Sequence, residues 1–245
     1  MTEHKRIWLG EDRALFLGEL PATQVHAHAA PVLLIGLSGT ITLTLPGNER
    51  IHCHSALLDA GVEHALDSQG ELIASLYLEP DAPETRALKA GILKDHPVLL
   101  DPLLSATRHK SLETRLQTFD LANLLPRSVQ GQTTQLDERI ARSLNIMRSS
   151  QDARLTRQSL AGAVHLSESR FNHLFRAEMG ISFRRYRSWS RLRSTFYSVA
   201  QNQSLTSAAL DAGLHDSAHL SRLFRDMIGL APSQVLKNVT RMEIV

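Results

Sequence analysis

Over the first 80 residues, apolar and polar positions tend to alternate with a period of two, while beyond about residue 136 they recur every three or four. In TITLTL (Thr40 to Leu45), Ile41, Leu43 and Leu45 share one face and the threonines the other, as in a half-buried antiparallel strand. PVLLIGLSG precedes it and the turn Pro46-Gly47-Asn48 follows, which predicts a hairpin or meander. ELIASLYL (Glu71 to Leu78) is another strand. Short strands broken by Gly, Pro and Asn turns predict a small barrel or sandwich over residues 1–80.

After Pro80 the period changes. PDAPETRALKAGIL predicts a short helix, and SLETRLQTFDLANLL (Ser111 to Leu125) carries Leu112, Leu116, Phe119 and Asn123 on one stripe, suited to core packing or to pairing with a second copy. Residues 81–125 are therefore read as a helical extension that could dimerise. PRSVQGQTTQ (126–135) is polar and aperiodic, the pattern of a linker. Residues 136–245 are predicted to be all helical. Within them LAGAVHLSESRFNHLF (Leu160 to Phe175) and ALDAGLHDSAHLSRLF (Ala209 to Phe224) repeat one layout: a short apolar helix, a turn, a Ser or Asp able to cap, then an amphipathic helix stopped by Gly180 or Gly229. These are two helix-turn-helix patterns, at 155–180 and 205–229. SFRRYRSWSRLRSTFYSVAQ (Ser182 to Gln201) between them reads as one helix, about 30 Å long at 1.5 Å per residue. That is close to the roughly 34 Å of one turn of B-DNA, so such a connector could set both motifs on one face of a duplex.

Charge sharpens this picture. The net charge is only +2, but residues 1–150 hold 14 basic against 18 acidic side chains and residues 151–245 hold 13 against 7, with 12 of the 13 being arginine. A basic, arginine-rich final third suits phosphate neutralisation. The single cysteine, Cys53, excludes an intramolecular disulfide. The charged N-terminus does not read as a signal peptide and no apolar run reaches the roughly 20 residues of a membrane span, so a cytoplasmic protein without a membrane partner is expected.

Five of the 12 histidines fall between His26 and His64. Two readings stand for them: a transition-metal or effector site built from His26, His28, His64 and one or both of His52 and His54, or hydrogen-bonded barrel residues. His52 and His54 flank Cys53 on a predicted strand, which puts both imidazoles on one face and the thiol on the other. No cofactor is expected, with a divalent metal at these histidines as the alternative.

The segment from Leu155 to Leu236 resembles the AraC/XylS DNA-binding domain, through LAGAVHLSESRFNHLFRAEMGISFRRY, the run DAGLHDSAHLSRLFRDMIG and the closing GLAPSQV. It departs from that pattern at Leu214, Ala218 and Thr195. More loosely, HAH (His26, His28), LSG and ALLDAGVEHAL with His64 resemble the cupin-like sensor domain of such regulators. In metal-binding cupins that likeness implies two histidines, a carboxylate and a third histidine, but Val32 and Leu33 stand where the carboxylate is expected. The implied fold is α+β with two domains: a cupin-like antiparallel β-barrel followed by helices, then an all-α double helix-turn-helix domain of homeodomain-like type. By position, the resemblance implies base readout by Ser169, Asn172 and His173 on the first recognition helix and by Ala218, His219, Ser221 and Arg222 on the second. Arg222 matches the guanine edge and Asn172 the adenine edge. Arg170, Arg176, Arg184, Arg185, Arg187 and Arg225 are expected at phosphates, with Arg191 there or in an internal ion pair. The implied function is a non-enzymatic transcription regulator that binds an operator duplex as a homodimer under control of a small-molecule effector, with RNA polymerase as a further partner. The alternatives are a metal-dependent cupin enzyme with an appended helical module, and a constitutive DNA binder whose barrel only dimerises.

Overall fold

A computed structural model describes residues 5–102, 135–149 and 155–245. Strands β1 (Lys5–Leu9), β2 (Arg13–Gly18), β3 (His26–Ala27), β4 (Val32–Gly36), β5 (Ile41–Leu45), β6 (Glu49–Cys53), β7 (Ser55–Leu58), β8 (Glu63–Asp67) and β9 (Ile73–Leu78) come first. A helix α1 (Pro83–Leu88) runs on into a π-helical turn at Lys89–Leu93, and β10 (Val98–Leu100) follows. The helical part comprises α2 (Glu138–Ser149), α3 (Arg157–Ala163), α4 (Glu168–Met179), α5 (Phe183–Ala200), α6 (Leu205–Asp211), α7 (Ser217–Ile228) and α8 (Pro232–Leu236), and the chain closes with β11 (Val239–Ile244).

Among the described residues the strands form two sheets, in the orders β10-β7-β4-β9-β2-β1-β11 and β3-β8-β5-β6. The predicted hairpin is β5–β6, with Ile41 opposite Cys53 and Leu45 opposite Glu49. Its turn takes a left-handed backbone at Gly47 and Asn48, residue types that tolerate it. The larger sheet buries Trp8, Leu15, Leu33, Ile35, Leu76 and Leu78 together with Leu88 and Leu93, so α1 and the π-turn cap this core.

Two expectations change. Residues 81–125 do not begin as helix alone: β10 pairs antiparallel with β7, with Val98 opposite Leu58, and the predicted stripe at Leu112 to Asn123 and most of the 126–135 linker lie outside the described residues. The C-terminal part is not all helical either, because β11 adds to β1 in parallel, Ile7 opposite Met242. VTRMEI is rich in β-formers, and it covers the free edge of β1 with a ladder that a seven-residue tail cannot make alone.

Chain contacts divide the molecule into two compact units, the N-terminal β part together with Ser221–Val245, and Thr134–Leu220. The dividing point falls inside α7. Ser221–Val245 thus associates with the sheets instead of standing wholly in the 136–245 domain.

Candidate functional sites: a helix-turn-helix pair and a histidine cluster

The helical unit is built on caps that the sequence signals. Thr156 and Ser159 form a reciprocal capping box at α3: Ser159 N–H donates to Thr156 Oγ1 and Thr156 N–H to Ser159 Oγ, both at 3.0 Å. Ser167 accepts from Arg170 N–H at the start of α4, and Ser182 from Arg185 N–H at the start of α5. Asp216 does the same for the second motif, taking His219 N–H at 2.5 Å. Gly180 and Gly229 end α4 and α7 with φ of 74° and 76°, the left-handed stop expected of glycine. The connector in the first motif is 164–167 and in the second 212–216, one residue longer, with Gly213 at φ 79° absorbing the extra turn.

Burial separates a core face from an exposed face on each second helix. Phe171, Phe175 and Met179 of α4 are buried, and Phe171 and Phe175 meet Phe183 of α5 with ring centroids 5.3 and 5.4 Å apart. The opposite side exposes Ser169, Arg170, His173 and Arg176, with Asn172 half-buried beside them. On α7, Leu220, Phe224, Met227 and Ile228 are buried. Ala218, Arg222 and Arg225 are exposed, and His219 and Ser221 are half-buried. The His219 ring stacks on His215, centroids 5.4 Å apart.

The arginines sort by environment. Arg184 is exposed, whereas Arg185, Arg187 and Arg191 are half-buried and hold other interactions within the structure. Desolvation lowers the pKa of Arg187 and Arg191, and for Arg191 the neighbouring Arg187 adds to it. Arg157 pairs with Glu168, tying the start of α3 to the start of α4. Thr195, buried in mid-helix, donates to the Arg191 carbonyl at 2.9 Å, which satisfies its buried hydroxyl.

The second site lies in the β part. β3 pairs with β8 so that His26 stands opposite His64, and His28 follows two residues on. The three rings are buried, with centroids 4.4 to 4.9 Å apart, and one nitrogen from each lies within 4.8 Å of the others. His26 Nδ1 faces Gln24 O at 2.9 Å, His64 Nδ1 faces Val62 O at 3.0 Å, and His28 Nδ1 faces Met227 O at 2.5 Å. Burial lowers the His64 pKa below its usual value. Tyr77 meets the His28 ring edge to face at 5.0 Å, and burial pushes its phenol above the usual range.

Of the five histidines singled out in the sequence, the fold brings together His26, His28 and His64 only. His52 and His54 are exposed on the outer side of β6 and just beyond it, with His52 Nδ1 at 2.9 Å from Thr42 Oγ1. The alternation about Cys53 is as read, since the thiol is buried. Its pKa is pushed up to about 11, first by desolvation and then by Asp101. Sequence reasoning missed Met227 and Gly229 as neighbours of the histidines. Gly229 is legible as a helix stop, but a Cβ there would stand 2.5 Å from His26 Nδ1, a demand set by a contact across some 200 residues.

Residues 160–238 match the family described as "Helix-turn-helix domain". An "Uncharacterized HTH-type transcriptional regulator" from Haemophilus influenzae is 31% identical over 84 residues, 34% of this chain and 28% of the relative, so the match spans under a third of that protein's length. Among solved structures, apo ToxT K231A from Vibrio cholerae superposes with a TM-score of 0.60 at 12% identity, over 94% of this chain and 98% of that one. Wild-type ToxT from the same strain, bound to an unsaturated fatty acid, gives 0.57 at 13% over 98% of each chain. At such identity the likeness concerns the fold: an N-terminal β domain followed by a helix-turn-helix region. None of the described helices is long and apolar enough to cross a membrane.

Proposed function

We propose that this chain, whose residues 160–238 match a helix-turn-helix family, is a transcriptional regulator of the AraC type that binds a specific DNA operator through α4 and α7 and responds to a small molecule held by the β domain. The observation that carries the reading is the double arrangement itself. Two capped amphipathic helices, each preceded by a short helix and turn, present Ser169, Asn172 and His173 on one and Ala218, His219, Ser221 and Arg222 on the other. Arg222 has the fork for guanine O6 and N7, and Asn172 the donor and acceptor for adenine. Arg170, Arg176, Arg184 and Arg225, all exposed, supply phosphate contacts, with Arg185 and Arg187 at the margin.

A bound unsaturated fatty acid in one ToxT structure and a naphthyl-butenoic acid in another support a β domain that takes small organic ligands. The protein acts in the cytoplasm as a homodimer, with RNA polymerase as a further partner. The test uses the full chain. Selection from a random duplex pool enriches one sequence class, and affinity for it falls steeply and linearly in log salt as counterions are released. A flat salt response, or no enrichment, overturns the reading.

A further inference from the structure

We propose that Glu168, the first residue of α4, selects cytosine at one position of the operator through its carboxylate, and that Arg157, the first residue of α3, positions it. This deepens the DNA-binding function proposed above and rests on it. Arg157 Nε donates to Glu168 Oε2 at 2.6 Å and Arg157 Nη2 reaches the same oxygen, so the guanidinium holds the carboxylate through one of its two atoms. Among the described residues Oε1 takes no hydrogen bond, which leaves it to accept one from a ligand. The two side chains are 48% and 39% exposed, enough for a duplex to reach both.

Residues at the N-terminal end of a recognition helix are the ones that reach base edges. Glu168 lies one turn before Asn172, at the i, i+4 spacing that places two side chains on one side of a helix, and next to Ser169. The other acid of α4, Glu178, is at the far end and accepts the Asp137 N–H at 3.0 Å. Glu168 is thus a lone negative charge beside Ser169, Arg170, Asn172, His173 and Arg176. Facing a polyanion, such a charge weakens binding to every sequence unless it meets a specific donor. In the major groove the donor that a carboxylate matches is the N4 amino group of cytosine. The positive charge of Arg157 offsets the repulsion from the phosphates.

No folding role accounts for the pair. An ion pair this exposed contributes little to stability. The second motif supplies an internal control. Its caps Ser204 and Asp216 correspond to Thr156 and Ser167, so Leu205 stands in the place of Arg157 and Ser217 in that of Glu168. α7 has no acid in its first turn, and the second motif forms all the same. The pair is therefore not required by the helix-turn-helix, and it distinguishes the first motif from the second at a position next to the bases.

The test is selection from a random duplex pool by the full chain and by Glu168→Gln, Glu168→Ala and Arg157→Gln, followed by competition between duplexes that differ at the affected position. The wild-type chain is expected to prefer cytosine there by about five-fold or more. Glu168→Gln, whose amide matches adenine N6 and N7, should move the preference to adenine and leave the other positions as they were. Glu168→Ala should abolish the preference at that position, and Arg157→Gln should weaken it there alone, an effect that loss of a merely structural ion pair would not confine to one base. Far-ultraviolet circular dichroism checks the fold of each variant, and either Glu168 variant can stand in for the other. Unchanged base preference in the Glu168 variants, with all duplexes bound more tightly as the negative charge is lost, overturns the inference and leaves the function proposed above intact. A cytosine preference that survives Arg157→Gln undiminished overturns the positioning role. A wild-type chain that enriches no sequence overturns the proposed function and this inference together.

Discussion

Arg222 and Arg184 are both exposed arginines of the helical region, and the proposed function gives them different work. Arg222 projects from the exposed face of α7, and under the proposed function Arg222→Ala should cost about 1–3 kcal/mol and relax preference at one base position, measured by competition between duplexes. Arg184, in the first turn of α5, should on replacement by alanine weaken all duplexes alike and reduce the salt slope by about one. Cys53 illustrates the opposite case, a reactive residue type made inert by its surroundings. Its folded pKa of about 11 against an ordinary 9.0 leaves the native thiolate about 100-fold scarcer at neutral pH. Alkylation at pH 8 should therefore be slow in the native protein and fast in denaturant. The raised pKa also means a contribution to stability that is complete below about pH 9 and lost as pH rises through about 11, because the unfolded chain gives up the proton first. The even alternation around Cys53 correctly turned the thiol inward; only packing supplied the desolvation and the nearby Asp101.

At the level of elements, helix ends were the most legible features, because a cap is a short-range device written within four residues. Ser167, Ser182 and Asp216 all cap as their positions imply, and α5 runs from Phe183 to Ala200, between the Ser and Gln that bound the sequence pattern. Gly229 carries a second requirement. Gly61, with φ of 87°, has open space around it, so Gly61→Ala should cost only the left-handed backbone, about 1–2 kcal/mol. Gly229→Ala adds the approach to His26, Gln24 and Thr23. Urea denaturation should show it to be clearly the more damaging of the two, and equal losses would mean that the helix end does not rest on the His26 loop. Strands β10 and β11 were missed for a related reason. Each is short and gains its hydrogen bonds from a partner distant in sequence, Leu58 for Val98 and Met242 for Ile7, and no local period announces that.

For the whole molecule, the C-terminal tail matters more than its length suggests. β11 covers the edge of β1, Val245 N–H donates to Leu9 O at 3.0 Å, and Lys5 Nζ donates to Gln234 O at 2.7 Å. Removal of residues 239–245 should expose the β1 edge and lower the Tm, by about 2–4 °C for each kcal/mol lost in a chain of this size. It should also increase aggregation, since an open strand edge is a template for pairing. An unchanged melting curve would show that β11 contributes nothing to the β part. The grouping of Ser221–Val245 with the sheets has a practical corollary: a fragment beginning at residue 126 leaves this tail without β1, so DNA binding is best measured on the full chain.

By itself the sequence determined the order of β and helical halves, the two helix-turn-helix motifs, the faces they bury and expose, and the basic character of the final third. These depend on periodicity, caps and charge, which act within a few residues. The tertiary structure alone decided which three of five histidines meet, that their Nδ1 atoms face three separate carbonyls, and that one of those carbonyls belongs to α7. Such contacts join residues up to 199 positions apart, and they are set by strand register and by where α7 ends. No local pattern in the chain encodes that convergence.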